Sequence, residues 1–212
     1  MAKISQTLKT YDELIELLYM LDKGIERRYP DSDISVKLEV VGGFSLMYHG
    51  LRIDDQTSRD VDTYNELSSW VWKLAYDIDP TNWLNDGPSN VKDRILDIVK
   101  DNIEFVKDAK YRFPYDHLEL WIATLSSVLW MKLDLLKRKA DSGHTMISLL
   151  AERPRDISDI KEILSAFKIN SLDSLFKEYP DLAIFKEYRY NEDGKAVDIF
   201  NKFQLFEGND NG

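Results

Sequence analysis

Cysteine is absent from this chain, which excludes disulfides, thiolate zinc sites, iron–sulfur clusters and cysteine nucleophiles outright. Histidine is scarce: His49, His117 and His144 are dispersed, with no close pair and no His-x-Glu-x-x-His spacing, so a histidine-based zinc site has no support and all three read as structural. No apolar run is long enough to span a bilayer, and Met1-Ala2-Lys3-Ile4-Ser5-Gln6 leads into an amphipathic pattern rather than the apolar stretch of a signal peptide. A cytoplasmic protein with no membrane partner is the expectation. Internal repeats, low-complexity tracts and convincing linkers are missing as well. Positive charge is in deficit: the net charge of −10 repels polyanions at long range and argues against a protein that coats duplex DNA. Arg52, Arg59, Lys137, Arg138 and Lys139 are the basic material left for an extended RNA contact.

What is present is the composition of a folded protein, 43% hydrophobic and 31% charged over 212 residues, enough to bury a core without metal or disulfide staples. Leu14, Leu17, Leu18, Leu21 and Ile25 recur at helical spacing and predict a first helix from Leu8 to about Arg28, closed by Pro30 and Asp31. The alternation from Ile34 to Val41 predicts a half-buried strand that stops at Gly42-Gly43. A short helix over Phe44–His49, ended by Gly50, and a polar connection from Leu51 to Gln56 follow. Ser58 to Tyr64 predicts a second strand with Asp60 and Asp62 on one face and Val61 on the other. Helices are expected from Asn65 to Asp77 and from Val91 to Val106, separated by Asp79-Pro80-Thr81-Asn82 and Asp86-Gly87-Pro88. His117–Ile122 predicts a strand, Ser126–Lys139 a long helix broken at Asp141-Ser142-Gly143, and Asp156–Phe167 a helix with acids in its first turn.

Asp-x-Asp is a weak signal alone, because Asp31-x-Asp33 and Asp77-x-Asp79 also occur in this acidic chain. Asp60-Val61-Asp62 differs in its setting, on a predicted strand shortly after a strand that ends in a double glycine. Two carboxylates on one strand face repel unless a cation neutralises them, and hard oxygen ligands suit Mg²⁺ or Mn²⁺. Glycines without a Cβ let backbone N–H groups approach a phosphate, and Ser45 offers a hydroxyl beside them. Ser58, two residues before Asp60, is a candidate acceptor hydroxyl or metal-shell group. The plainer alternative, a tight turn followed by a solvated strand end, is equally compatible with these residues.

Val40-Val41-Gly42-Gly43-Phe44-Ser45 followed by Ser58-Arg59-Asp60-Val61-Asp62 resembles the hallmark of the nucleotidyltransferase (DNA polymerase β-like) superfamily. Trp130-Met131-Lys132-Leu133 and Arg153-Pro154-Arg155-Asp156-Ile157-Ser158-Asp159-Ile160 resemble the helical half of the AbiEii-like type IV toxin nucleotidyltransferases and their uncharacterised relatives. The resemblance spans roughly Ile34 to Leu164. It implies an α+β fold, a small mixed sheet flanked by helices with a mainly helical C-terminal half. It also implies transfer of an NMP from an NTP to an acceptor hydroxyl on RNA or protein, with an antitoxin as a further partner. Asp60 and Asp62 would hold Mg²⁺ or Mn²⁺; Gly42, Gly43, Ser45, Ser58 and Arg59 would bind the nucleotide. Lys132 would meet phosphate charge, Asp156 or Asp159 would be the helical-half acid, and Glu119 is the candidate third strand carboxylate. Read without the resemblance, Lys132 is a snorkelling lysine, Asp156 a helix N-terminal acid and Glu119 an outward-facing strand residue. The expected organisation is a core over residues 1–124, a helical part of the same unit over 125–207 and a disordered tail over 208–212.

Overall fold

The computed structural model describes residues 8–30, 32–52, 57–86, 95–108, 115–190 and 195–206. The expectations for the opening residues, Asp31, the connection over 53–56, the Gly87-Pro88 break and the tail lie outside the described residues. The fold is mixed α+β, and the chain divides into two compact units. Of the described residues, the first takes in those up to Asp86 and those between Ile103 and Val128, and the second takes in Ile95–Asn102 and those from Leu129 onward.

The first unit opens with a two-residue strand β1 (Lys9–Thr10) and helix α1 (Tyr11–Arg28). Thr10 caps α1 through a reciprocal box: Glu13 N–H donates to Thr10 Oγ1 at 3.2 Å, and Thr10 N–H donates to Glu13 Oε2 at 2.6 Å. Strand β2 (Val36–Val41) runs into α2 (Gly42–Tyr48), and Gly50 follows with φ +80°. The predicted strand Ser58–Tyr64 is two strands, β3 (Thr57–Ser58) and β4 (Val61–Thr63), with Arg59 and Asp60 between them. The backbone of β3 is paired with β1 and that of β4 with β2, so the chain changes sheets at Asp60.

Helix α3 (Ser69–Ile78) starts four residues later than predicted. Asn65 instead extends the edge of β2, accepting from Glu39 N–H and donating to Lys37 C=O, each at 2.8 Å. Strand β5 (Leu84–Asn85) follows. The predicted Val91–Val106 helix is also corrected over its described part: a single turn α4 (Asp97–Asp101) is followed by strand β6 (Phe105–Lys107). Pairing to β7 (Leu118–Ala123) and the capture of Glu104 N–H by Ser127 Oγ at 2.7 Å override the helical period there.

Among the described residues, one mixed sheet has the order β5-β4-β2-β7-β6. β2 is parallel to β7 and antiparallel to β4, β4 is parallel to β5, and β6 is antiparallel to β7. Val36, Leu38 and Val40 share one face with Leu118, Leu120 and Ile122, in register across the β2–β7 ladder. That face is covered by the apolar stripes of α1 (Leu14, Leu18, Leu21), α2 (Phe44, Met47) and α3 (Val71, Ala75). Burial of each such aliphatic side chain contributes about 1.5–3 kcal/mol. Lys37, Glu39, Asp62, Glu119 and Trp121 belong to the opposite face by alternation and register.

The second unit contains most of α5 (Leu125–Asp141), then α6 (Met146–Glu152), α7 (Pro154–Ala166), α8 (Leu172–Glu178), a 3-10 turn over Pro180–Phe185, a β8–β9 hairpin (Tyr188–Tyr190, Lys195–Val197) and α9 (Ile199–Lys202). Trp130 packs on Phe185 and Phe176 on Phe200, each with ring centroids 5.7 Å apart. No helix among the described residues is long and apolar enough to cross a membrane.

The two faces of β2 predict opposite mutational sensitivity. Leu38→Ala is expected to cost about 2–5 kcal/mol through the cavity it leaves, and Lys37→Ala about 0.5 kcal/mol or less. Urea denaturation followed by circular dichroism measures both.

Candidate functional site

Asp62 sits on β4 opposite Val41 of β2 and Asn85 of β5, and Asp60 sits where the chain leaves β3. The expected convergence of the two carboxylates is present. The Asn85 Nδ2 group donates to Asp62 Oδ1 at 3.0 Å and to Asp60 Oδ2 at 3.3 Å, so one side-chain amide bridges the pair. Asp62 also lies close against the glycine turn. Gly42 has φ +70°, a conformation that favours glycine, and a Cβ built on it would come within 2.5 Å of Asp62 Oδ2. Gly42 is therefore required twice, by its backbone angle and by the nearness of the carboxylate.

Gly43 is buried, and its missing side chain makes room for protein groups: a Cβ there would lie 2.5 Å from Arg52 Nη1 and 2.7 Å from Ser58 Oγ. Arg52, expected as surface basic material, is 9% exposed and donates to Thr57 C=O at 2.9 Å. Ser58 is 5% exposed and no longer shares a continuous strand face with Asp60 and Asp62. Ser45 is completely buried, its hydroxyl proton given to Val40 C=O at 3.0 Å, so its assignment as a phosphate donor is corrected. Arg59 is exposed beside the pair in sequence.

Glu119 is not the third member of this site. It pairs in register with Lys37, whereas Asp62 pairs with Val41, four residues further along β2. Four strand residues span about 13 Å, so Glu119 belongs to the other end of the sheet face. There the Trp121 indole N–H and the Lys107 ammonium, each 3.3 Å from its carboxylate, hold its pKa below the usual range. The β7 residues level with Asp62 and with the step before it are Ala123 and Trp121, neither of them acidic. Among the described residues no group of three or more His, Asp or Glu side chains is arranged to share one metal ion. The Asp60–Asp62 pair nevertheless fits Mg²⁺, which is commonly bound through one or two carboxylates with water and substrate phosphates supplying the rest.

A second cluster lies within the second unit. Lys132, 8% exposed, places Nζ 2.8 Å from Asp156 Oδ1 and 2.6 Å from Asp159 Oδ2, and Arg153 Nε reaches Asp156 Oδ2 at 2.5 Å. The structure thus brings together Lys132, Asp156 and Asp159 from α5 and α7. It corrects the expectation that Lys132 offers its charge to a phosphate, because two carboxylates already hold the ammonium. Burial pushes the Asp156 carboxyl up, but the Lys132 and Arg153 charges outweigh it and hold the pKa below the ordinary carboxylate value.

The remaining basic run is likewise paired. Lys137 meets Asp141 at 2.8 Å, Arg138 meets Asp134 at 2.9 Å and Lys139 meets Glu152 at 2.7 Å. The histidines hydrogen-bond as structural residues: His49 with Ala123 C=O, His117 with Ile34 C=O and His144 with Glu152. Asn85 is the residue of this site that sequence reasoning missed. Its role depends on the pairing of β5 with β4, for which no local pattern exists.

No family model matches the chain, and neither a curated protein nor a solved structure matches it.

Gly50→Ala should cost about 1–2 kcal/mol from left-handed backbone strain alone, because a Cβ there meets nothing within 4 Å. Gly42→Ala should cost measurably more in the same urea titration, because it also displaces Asp62. Asp156→Asn should lower stability at neutral pH by about 3 kcal/mol, since it leaves the buried Lys132 with one carboxylate. A carboxyl whose folded pKa is depressed stabilises above its unfolded pKa and loses that contribution as pH falls through the folded value. Wild-type stability should therefore fall steeply below about pH 4, and the variant's less so, in urea melts taken across that range.

Proposed function

We propose that this protein is a Mg²⁺-dependent nucleotidyltransferase that moves an NMP from an NTP to an acceptor hydroxyl. The observation that carries the proposal is the convergence of Asp60 and Asp62 beside the Gly42 turn, bridged by the Asn85 amide. Asp60 and Asp62 would hold the metal, which when bound neutralises phosphate charge and acidifies the acceptor hydroxyl. The acceptor oxygen attacks the α-phosphorus in line, the bond from that phosphorus to the α–β bridging oxygen breaks, and pyrophosphate leaves while the hydroxyl proton is released. The bare Gly42 leaves room for the Asp62 carboxylate at the end of β2, and exposed Arg59 is available to phosphate oxygens. The Lys132–Asp156–Asp159 cluster braces α5 against α7. The resemblance extends the proposal to a toxin-like growth regulator with an antitoxin partner and an RNA or protein acceptor. The pairing of Lys137, Arg138 and Lys139 favours a compact acceptor contact over an extended one.

A second reading, nucleotide binding without turnover, is favoured by one observation: the β7 positions nearest the pair's level carry Ala123 and Trp121 where a further metal-binding acid would stand. Calorimetry of wild type and the Asp60→Ala, Asp62→Ala double variant against four NTPs with Mg²⁺ should show binding that needs both the metal and the aspartates. Transfer of α-phosphate label to RNA or protein, abolished by Asp62→Asn, identifies the transferase. Binding without transfer identifies the second reading, and no binding by folded wild type rejects both.

A further inference from the structure

We infer that Trp121 is the shelf on which the base of a bound nucleotide stacks, on the open face of the sheet. The inference rests on the proposed reading of the Gly42 turn as the place of the nucleotide's phosphates.

Alternation and register put Trp121 on the face turned away from α1, α2 and α3, level with Glu39 of β2. The indole is half-buried there and takes no part in the apolar core. Its N–H donates to Glu119 at 3.3 Å, which sets the plane of the ring. Aromatic surface continues beside it. Phe105 pairs with Ala123 on the far edge of β7, Tyr64 N–H donates to Glu39 C=O at 2.7 Å, and the Tyr64 and Phe105 rings meet with centroids 5.8 Å apart. Asp62 pairs with Val41 and Trp121 with Glu39, so the two are separated by about 7 Å along the strands and about 10 Å across them. An extended nucleotide bridges that diagonal, its phosphates at the glycine turn and its base over the indole.

Charge at the shelf suits a base and not a polyanion. Lys37 pairs with Glu39 at 2.6 Å and Lys107 with Glu119 at 3.3 Å, so the charges flanking the indole cancel and leave a neutral π-face. What lies over that face is the Lys37 ammonium, 4.7 Å from the ring centroid, on a side chain 48% exposed. A cation over an exposed indole is weakly held, and a base stacks on the same face more strongly because every base presents a flat π-surface of its own. Lys37 is therefore a displaceable cover that keeps the ring from open water until a base replaces it. The β7 position that carries no acid has a use in this arrangement: it holds the base while the glycine turn holds the phosphates.

The test is calorimetry with ATP and with inorganic tripolyphosphate, each with Mg²⁺, for wild type, Trp121→Phe, Trp121→Ala and Lys37→Ala. Circular dichroism verifies the fold of each. Wild type should bind ATP about tenfold more tightly than tripolyphosphate, the excess being the stacked base. Trp121→Ala should bring ATP down to the tripolyphosphate affinity and leave tripolyphosphate itself unchanged, while Trp121→Phe keeps most of the excess. Lys37→Ala uncovers the ring and should keep all of it. Equal affinity of wild type for the two ligands, or an excess that survives Trp121→Ala, overturns the inference while the phosphate site stands. An excess lost in Lys37→Ala assigns the contact to the lysine and overturns it as well. Binding of neither ligand by folded wild type removes the phosphate site and the shelf together.

Discussion

Strand β2 has a neighbour on each edge, and that double pairing is the constraint on which the rest of the first unit depends. Parallel pairing to β7 aligns Val36, Leu38 and Val40 with Leu118, Leu120 and Ile122, making one continuous apolar face for α1, α2 and α3 to cover. Antiparallel pairing to β4 on the other edge brings Asp62 to the end of β2, where the chain must turn at Gly42. The apolar face drives folding, and the polar face inherits its geometry from the same ladders. A carboxylate beside a glycine turn is then a product of strand register, while its close approach is possible only because Gly42 lacks a Cβ.

The two acidic clusters dispose of charge in different ways. Around Lys132, two buried carboxylates hold one buried ammonium, with the half-exposed Arg153 guanidinium reaching Asp156 from the surface, an arrangement that locks α5 to α7. At Asp60 and Asp62 a neutral amide bridges the two carboxylates on a half-buried surface. The first cluster is largely buried. The second is half-buried on the polar face of the sheet, and that access makes the carboxylate pair the stronger functional candidate.

Local period was legible where a segment buries one stripe or one face. The α1 heptad-like spacing, the alternation of β2 and β7, the α5 and α7 patterns and the stop at Gly50 all correspond to elements at or near their expected positions. Charge pairs along α5 were also within reach of the sequence, since Asp134 to Arg138 and Lys137 to Asp141 are four apart on one helix and explain why the basic run is not an open surface. Ser45 was misread because a hydroxyl after two glycines suggests a phosphate donor. Its actual partner is the Val40 carbonyl at the end of the preceding strand.

The sequence by itself determined which residues share a face, because the 3.6 and 2.0 periods are properties of a single segment. Only the tertiary structure decided level and neighbour. Alternation turned Glu119 outward on its own strand, yet register set it four residues from Asp62 along the sheet. One predicted strand became β3 and β4 because their hydrogen-bond partners belong to different sheets, and Phe105–Lys107 became a strand because β7 offered an edge. Asn85 entered the site in the same way, through a ladder to β4. Backbone donors and acceptors take whatever remote partner the packed core brings alongside, and no local pattern of side chains records which partner that is.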